Sequence, residues 1–101
     1  MSRYSFDVVR DGTRYLVSFG YDYPCTEYFL HVEYADAHHC RESEEDGNPE
    51  LLFAIASYNT LKCHPDHPGK FRWSNGEMLE MYQCWDVPSV AQTAVALDQP
   101  F

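Results

Sequence analysis

Tyr4-Ser5-Phe6-Asp7-Val8-Val9-Arg10-Asp11-Gly12-Thr13-Arg14-Tyr15-Leu16-Val17-Ser18-Phe19-Gly20-Tyr21 decides the fold. Before Asp11-Gly12, Tyr4, Phe6 and Val8 fall on one face of an alternating pattern. After it, Tyr15, Val17, Phe19 and Tyr21 do the same. Alternation with period two is the pattern of a half-buried strand. Asp-Gly suits a two-residue type I′ turn, where both central residues need positive φ. Such a turn pairs Arg10 with Thr13, Val8 with Tyr15, Phe6 with Val17 and Tyr4 with Phe19. Every apolar side chain then meets another on the same face, and a slip of one residue would undo all three apolar pairs.

Outward from this hairpin, Tyr23-Pro24-Cys25 interrupts the ladder, because proline has no N–H to donate. A third antiparallel strand is expected over Glu27–Tyr34. Tyr28, Leu30, Val32 and Tyr34 face one way, and Glu27, Phe29, His31 and Glu33 the other, with His31 as a solvent-face residue. Residues 36–48 form a polar connection. Asn48-Pro49-Glu50 then has the chemistry of a helix start, with an Asn cap and Pro in the first turn. Leu51, Leu52, Ile55 and Tyr58, with Leu61 at the margin, fit a helical face; a buried strand over Leu51–Tyr58 is the rival, and helix is favoured. After a loop stiffened by Pro65 and Pro68, Lys70–Ser74 and Glu77–Asp86 flank Asn75-Gly76 as a second hairpin. Trp73 would oppose Met78 there. Asp86-Val87-Pro88-Ser89 can start a short final helix, with a terminal strand over Thr93–Leu97 as the alternative. The expected class is α+β, in one domain spanning residues 1–101. It has an antiparallel sheet of about five strands in the order β-β-β-α-β-β-α, with helices on one face.

The chain carries 16 acidic and seven basic residues, a net charge of −9. Residues 1–50 hold net −7 and residues 51–101 net −2, and Glu42-Ser43-Glu44-Glu45-Asp46-Gly47-Asn48-Pro49-Glu50 is the densest stretch. Such a surface repels nucleic-acid phosphates and anionic lipids and attracts basic proteins. Direct nucleic-acid binding is not expected on that ground, nor is membrane binding. Glu42, Glu44, Glu45, Asp46 and Glu50 are therefore candidate partner-binding residues. Asp22, Glu27, Glu33 and Asp36 are expected to extend the patch. A solvated acidic face that serves solubility is the competing explanation.

His38-His39-Cys40 and Cys63-His64-Pro65-Asp66-His67, with 22 residues between the two cysteines, could supply zinc with His39, Cys40, Cys63 and His67. The spacing matches no standard zinc motif, and polar loop residues beside buried thiols explain the same letters. No cofactor is therefore expected, with zinc as the alternative. Cys63 beside His64, or Cys40 beside His39, lacks the electropositive setting and the third orienting group of a thiol nucleophile. The acidic block lacks the alternation and closing Glu of a calcium loop. Gly-x-Ser-x-Gly, P-loop and dinucleotide fingerprints are missing.

Met1-Ser2-Arg3 runs straight into the strand pattern without an apolar segment, so no signal peptide is expected. A cytoplasmic location follows as the expectation, with Cys25, Cys40, Cys63 and Cys84 as reduced thiols. In composition alone, small acidic domains without catalytic motifs resemble phage-encoded anti-defence inhibitors (anti-CRISPR proteins and nucleic-acid mimics) and toxin-immunity proteins. That resemblance implies a non-enzymatic module that inhibits or masks a basic, nucleic-acid-binding protein.

Overall fold

The computed structural model describes residues 3–22, 26–35 and 51–101. The elements run β1 (Tyr4–Arg10), β2 (Thr13–Asp22), β3 (Glu27–Tyr34), β4 (Leu51–Ala56), α1 (Asn75–Cys84) and α2 (Ser89–Ala96). The four strands form one antiparallel meander in sequence order. Its first hairpin has the expected register throughout, including Arg10↔Thr13, Val8↔Tyr15, Phe6↔Val17 and Tyr4↔Phe19. Asp11 and Gly12 have φ of 52° and 80°, as a type I′ turn demands. The third strand has the expected bounds, and it places Leu30 against Phe19 and Val32 against Val17.

Two expectations are corrected. Leu51–Ala56 is a strand, not a helix, and pairs with β3 through Leu30↔Ile55 and Val32↔Phe53. The physical reason is burial on both faces. Phe53 and Ile55 turn to the helices at 0% exposure, while Ala54 and Ala56 are as deeply buried on the other side. An unbroken apolar run suits that setting, whereas an amphipathic helix would leave one face wet. The expected Asn48-Pro49-Glu50 helix start lies outside the described residues, as does Tyr23-Pro24-Cys25.

The second correction concerns the expected second hairpin. Asn75-Gly76 is the first turn of α1 rather than the centre of a β-turn. Ser74 caps the helix: its hydroxyl accepts from the Glu77 N–H at 3.2 Å, and the Glu77 carboxylate accepts from the Ser74 N–H at 2.9 Å. This reciprocal pair satisfies two donors that would otherwise be orphaned at the helix start. Trp73 and Met78 hold the flanking apolar positions of such a start, and both are buried in the core. Among the described residues the sheet therefore has four strands, and the elements run β-β-β-β-α-α. The final helix is present where Ser89 opens it, and the alternative terminal strand is not.

One core unites the layers. Val17, Leu30, Val32, Phe53 and Ile55 from the sheet meet Met78, Tyr82, Ala91 and Val95 from the helices, all at 0% exposure. The Tyr82 hydroxyl donates to the Phe29 carbonyl at 2.9 Å, tying α1 to β3. The Tyr28 hydroxyl donates to the Gln99 carbonyl at 2.8 Å, which ties the end of the chain to the same strand. Burial raises the pKa of both phenols, that of Tyr28 to about 12. None of the described helices is long and apolar enough to cross a membrane.

Candidate functional site

The antiparallel order sorts the acidic residues by sheet end. β3 climbs from Glu27 to Tyr34, and the chain leaves the described residues at Ala35 and returns at Leu51. Both points are pinned at one end of the sheet. The Ala35 N–H donates to the Arg14 carbonyl at 2.9 Å, and Leu51 sits opposite Glu33. The Asp11-Gly12 turn lies at this end too, since it joins the same ends of β1 and β2. Asp36, Glu42, Glu44, Glu45, Asp46 and Glu50 lie outside the described residues, but they run between these two fixed points. Residues 36–50 contain six of the 16 acids and one of the seven bases, net −5, which leaves −4 for the rest of the chain.

Asp22 and Glu27 face each other across β2 and β3 at the opposite end. Six residue steps separate Glu27 from Glu33, roughly 20 Å at the rise of a strand. Asp22 and Glu27 therefore stand at the sheet end away from Ala35 and Leu51, where residues 36–50 attach. Glu27 is also not a surface residue: it is 5% exposed, and its Oε2 accepts from the Asn59 Nδ2 at 2.7 Å. Burial pushes its carboxyl above the ordinary carboxylate range, the Asn59 bond opposes this, and the charge of Asp22 adds to it.

Around Glu27 lies a cleft of about 240 Å³ on the sheet face away from the helices, with Arg3, Asp22, Phe29, His31 and Asn59 among its walls. Small residues make the room: Ser18, Gly20, Ala54 and Ala56 occupy that face of β2 and β4 and are buried. Phe29 is 6% exposed, and the Arg3 guanidinium lies 5.5 Å from its ring centre. His31 shares the face but is half-buried, not open to solvent as expected. Its ring packs 5.1 Å from Phe29. Burial, and secondarily the charge of Arg3, lowers its pKa to about 4, so the imidazole is neutral near pH 7. The cleft offers two carboxyl groups, an aromatic face and a neutral imidazole, with no Ser, Thr, Cys or Lys among these walls. Sequence reasoning passed over Arg3, Phe29 and Asn59. The signal for Phe29 was its place between Glu27 and His31 on the polar face of β3.

Of the alternative zinc ligands, Cys63 is half-buried and His67 exposed, while His39 and Cys40 lie outside the described residues. His64, between the first two, is committed to the fold. Its Nδ1 accepts from the Asp66 N–H at 3.0 Å, and its ring packs 4.7 Å from Phe53. The His67 ring stands edge-on to Trp73 at 5.3 Å. Among the described residues, no three His, Cys, Asp or Glu side chains are grouped to hold a metal ion.

Arg10 and Lys70 are engaged locally. Arg10 lies 4.3 Å from the Trp85 ring centre, pairs with Asp86 at 3.3 Å and donates to the Cys84 carbonyl. Lys70 pairs with Glu77 at 2.7 Å. Together with Ser74, that pairing holds the Glu77 carboxyl down to about 2. A scan against protein-family models, a search of curated proteins and a search of solved structures each return no match to this chain.

Proposed function

We propose that the chain is an acidic, non-enzymatic binding module that inhibits or masks a basic protein. A nucleic-acid-binding protein is the partner whose chemistry fits best. A groove evolved for phosphates also attracts a row of carboxylates, and the attraction speeds encounter. The observation that supports this is the attachment of residues 36–50. A segment of net −5 is tethered at both ends to one end of a rigid sheet, beside Glu33. The docking surface is accordingly narrower than composition suggested. It comprises Glu33, Asp36, Glu42, Glu44, Glu45, Asp46 and Glu50, without Asp22 and Glu27.

Affinity capture from the native host, with wild-type protein and two variants as baits, tests this. Glu44, Glu45 and Asp46 changed together to Lys should abolish capture of a basic protein and slow its association by about tenfold or more at low salt. Asp22→Lys, at the far end of the sheet, should leave both unchanged. Equal capture by the triple variant would refute the proposal.

A further inference from the structure

β1 is the outer strand of the sheet, and among the described residues only β2 pairs with it. Hairpin geometry says which of its groups remain unpaired. A two-residue turn closes on a hydrogen-bonded pair, here Arg10↔Thr13, and such pairs alternate along an antiparallel ladder. Tyr4, Phe6, Val8 and Arg10 thus direct their backbone groups to β2. Ser5, Asp7 and Val9 direct theirs outward. Of the usual protections of an edge, β1 has no Pro, no bulge and no Lys; its Arg10 is tied to Asp86, and Asp7 is the charge that remains on the outward-directed residues. Beside it, on the helix side, a groove of about 400 Å³ runs toward α2, walled by Tyr4, Phe6, Phe19, Val90 and Phe101, with Asp86 also lining it. Tyr4 is 51% exposed and Val90 74%.

We infer that this edge and groove bind an extended segment of a basic partner by strand addition. The segment would be apolar at alternate residues, with Lys or Arg between. Residues of an added strand that oppose Tyr4, Phe6 and Val8 fall on the helix side, over the groove, and must be apolar. Those opposing Ser5, Asp7 and Val9 fall on the other face, where Asp7 favours a cation. A second copy of the chain fits less well. Antiparallel self-pairing centred on β1 matches Phe6 with Val8 but sets Asp7 against Asp7, between two molecules each of net −9. The site is independent of residues 36–50, which join β3 to β4.

A fluorescent peptide, Val-Lys-Val-Lys-Val-Lys-Val, is the probe, with amide hydrogen exchange and binding titrations as readouts. The Ser5, Asp7 and Val9 amides should exchange about tenfold more slowly when it binds, with those of Phe6 and Val8 little changed. Val90→Asp, at an exposed position, should weaken binding about tenfold, and Asp7→Asn about threefold. The same peptide with Glu for Lys should bind less tightly. Three results would overturn the inference: no protection of the outward amides, self-association that protects them without peptide, or binding lost on reversing Glu44, Glu45 and Asp46 yet indifferent to Val90→Asp.

Discussion

Acidification should destabilise the fold through His31, and replacing that residue should remove the effect. In the native sheet its ring lies between Ser18 of β2 and Ala54 of β4, both buried, and packs on Phe29. The native pKa is about 4, against 6.5 for the unfolded chain. Between those values the unfolded state binds a proton that the folded state refuses, so stability rises with pH there. The contribution is present in full above pH 6.5, falls as pH drops toward 4, and changes no further below that. At about 1.4 kcal/mol per pH unit the full gap would be ~3 kcal/mol; screening of a half-buried ring reduces this to about 2. For a domain of this size that is a Tm difference on the order of 10 °C. Glu27 acts with the opposite sign, because its raised carboxyl makes the folded state hold a proton longer. It is present in both proteins, however, and a comparison with His31→Gln cancels it. Urea unfolding followed by Trp73 and Trp85 fluorescence, in half-unit steps from pH 7 to pH 4, gives the two curves. Parallel curves would refute the argument, as would an His31 ring that titrates near 6.5 by NMR.

Three further outcomes follow from single contacts. Asn59→Ala should cost about 1–3 kcal/mol at pH 7, because a buried carboxylate loses its donor. The cost should shrink once acid neutralises Glu27, which chemical denaturation at two pH values would reveal. Ser74→Ala should cost about 1 kcal/mol by removing half of the capping box. Glu77, held down chiefly by Lys70, adds stability that is present above its unfolded value of 4.5 and lost as pH falls toward 2, so acid unfolding of Lys70→Met should be less steep below pH 4.5. Tyr82→Phe should cost about 1–2 kcal/mol, since it leaves the Phe29 carbonyl without the phenol; a thermal melt without that loss would show that the hydroxyl is not holding α1 to β3.

The first three strands were legible because several independent signals agreed. Alternation, turn chemistry and cross-strand matching all selected one register, and each would have failed under a slip of one residue. Leu51–Ala56 was not legible by the same means. Six consecutive apolar residues carry no period, and the choice between strand and helix depends on whether both faces are covered. That is a property of Ala54 and Ala56 in the folded protein, not of the local letters. Asn75-Gly76 misled for a different reason: it is a strong hairpin signal only when strands flank it. Ser74 and Glu77, three residues apart, carried the competing signal of a capping box, and the apolar spacing of Trp73, Met78 and Tyr82 is helical.

The division of the acidic residues was itself derivable from the sequence. In an antiparallel meander, successive connections lie at alternate ends of the sheet. Asp22 and Glu27 border the connection before β3, whereas Asp36 to Glu50 follow β3. Once Glu27–Tyr34 is a strand paired to β2, the points at which the two connections join the sheet are separated by its length. Bringing both attachment points to one end would require β3 to be very short, which the alternation of Tyr28, Leu30, Val32 and Tyr34 already excluded. The consequence bears on how a basic partner could bind. A ligand engaging Glu27 and Glu33 together would have to span roughly 20 Å along the sheet. One engaging the segment beside Glu33 needs only that end, and there charge reversal should act without assistance from the Glu27 cleft.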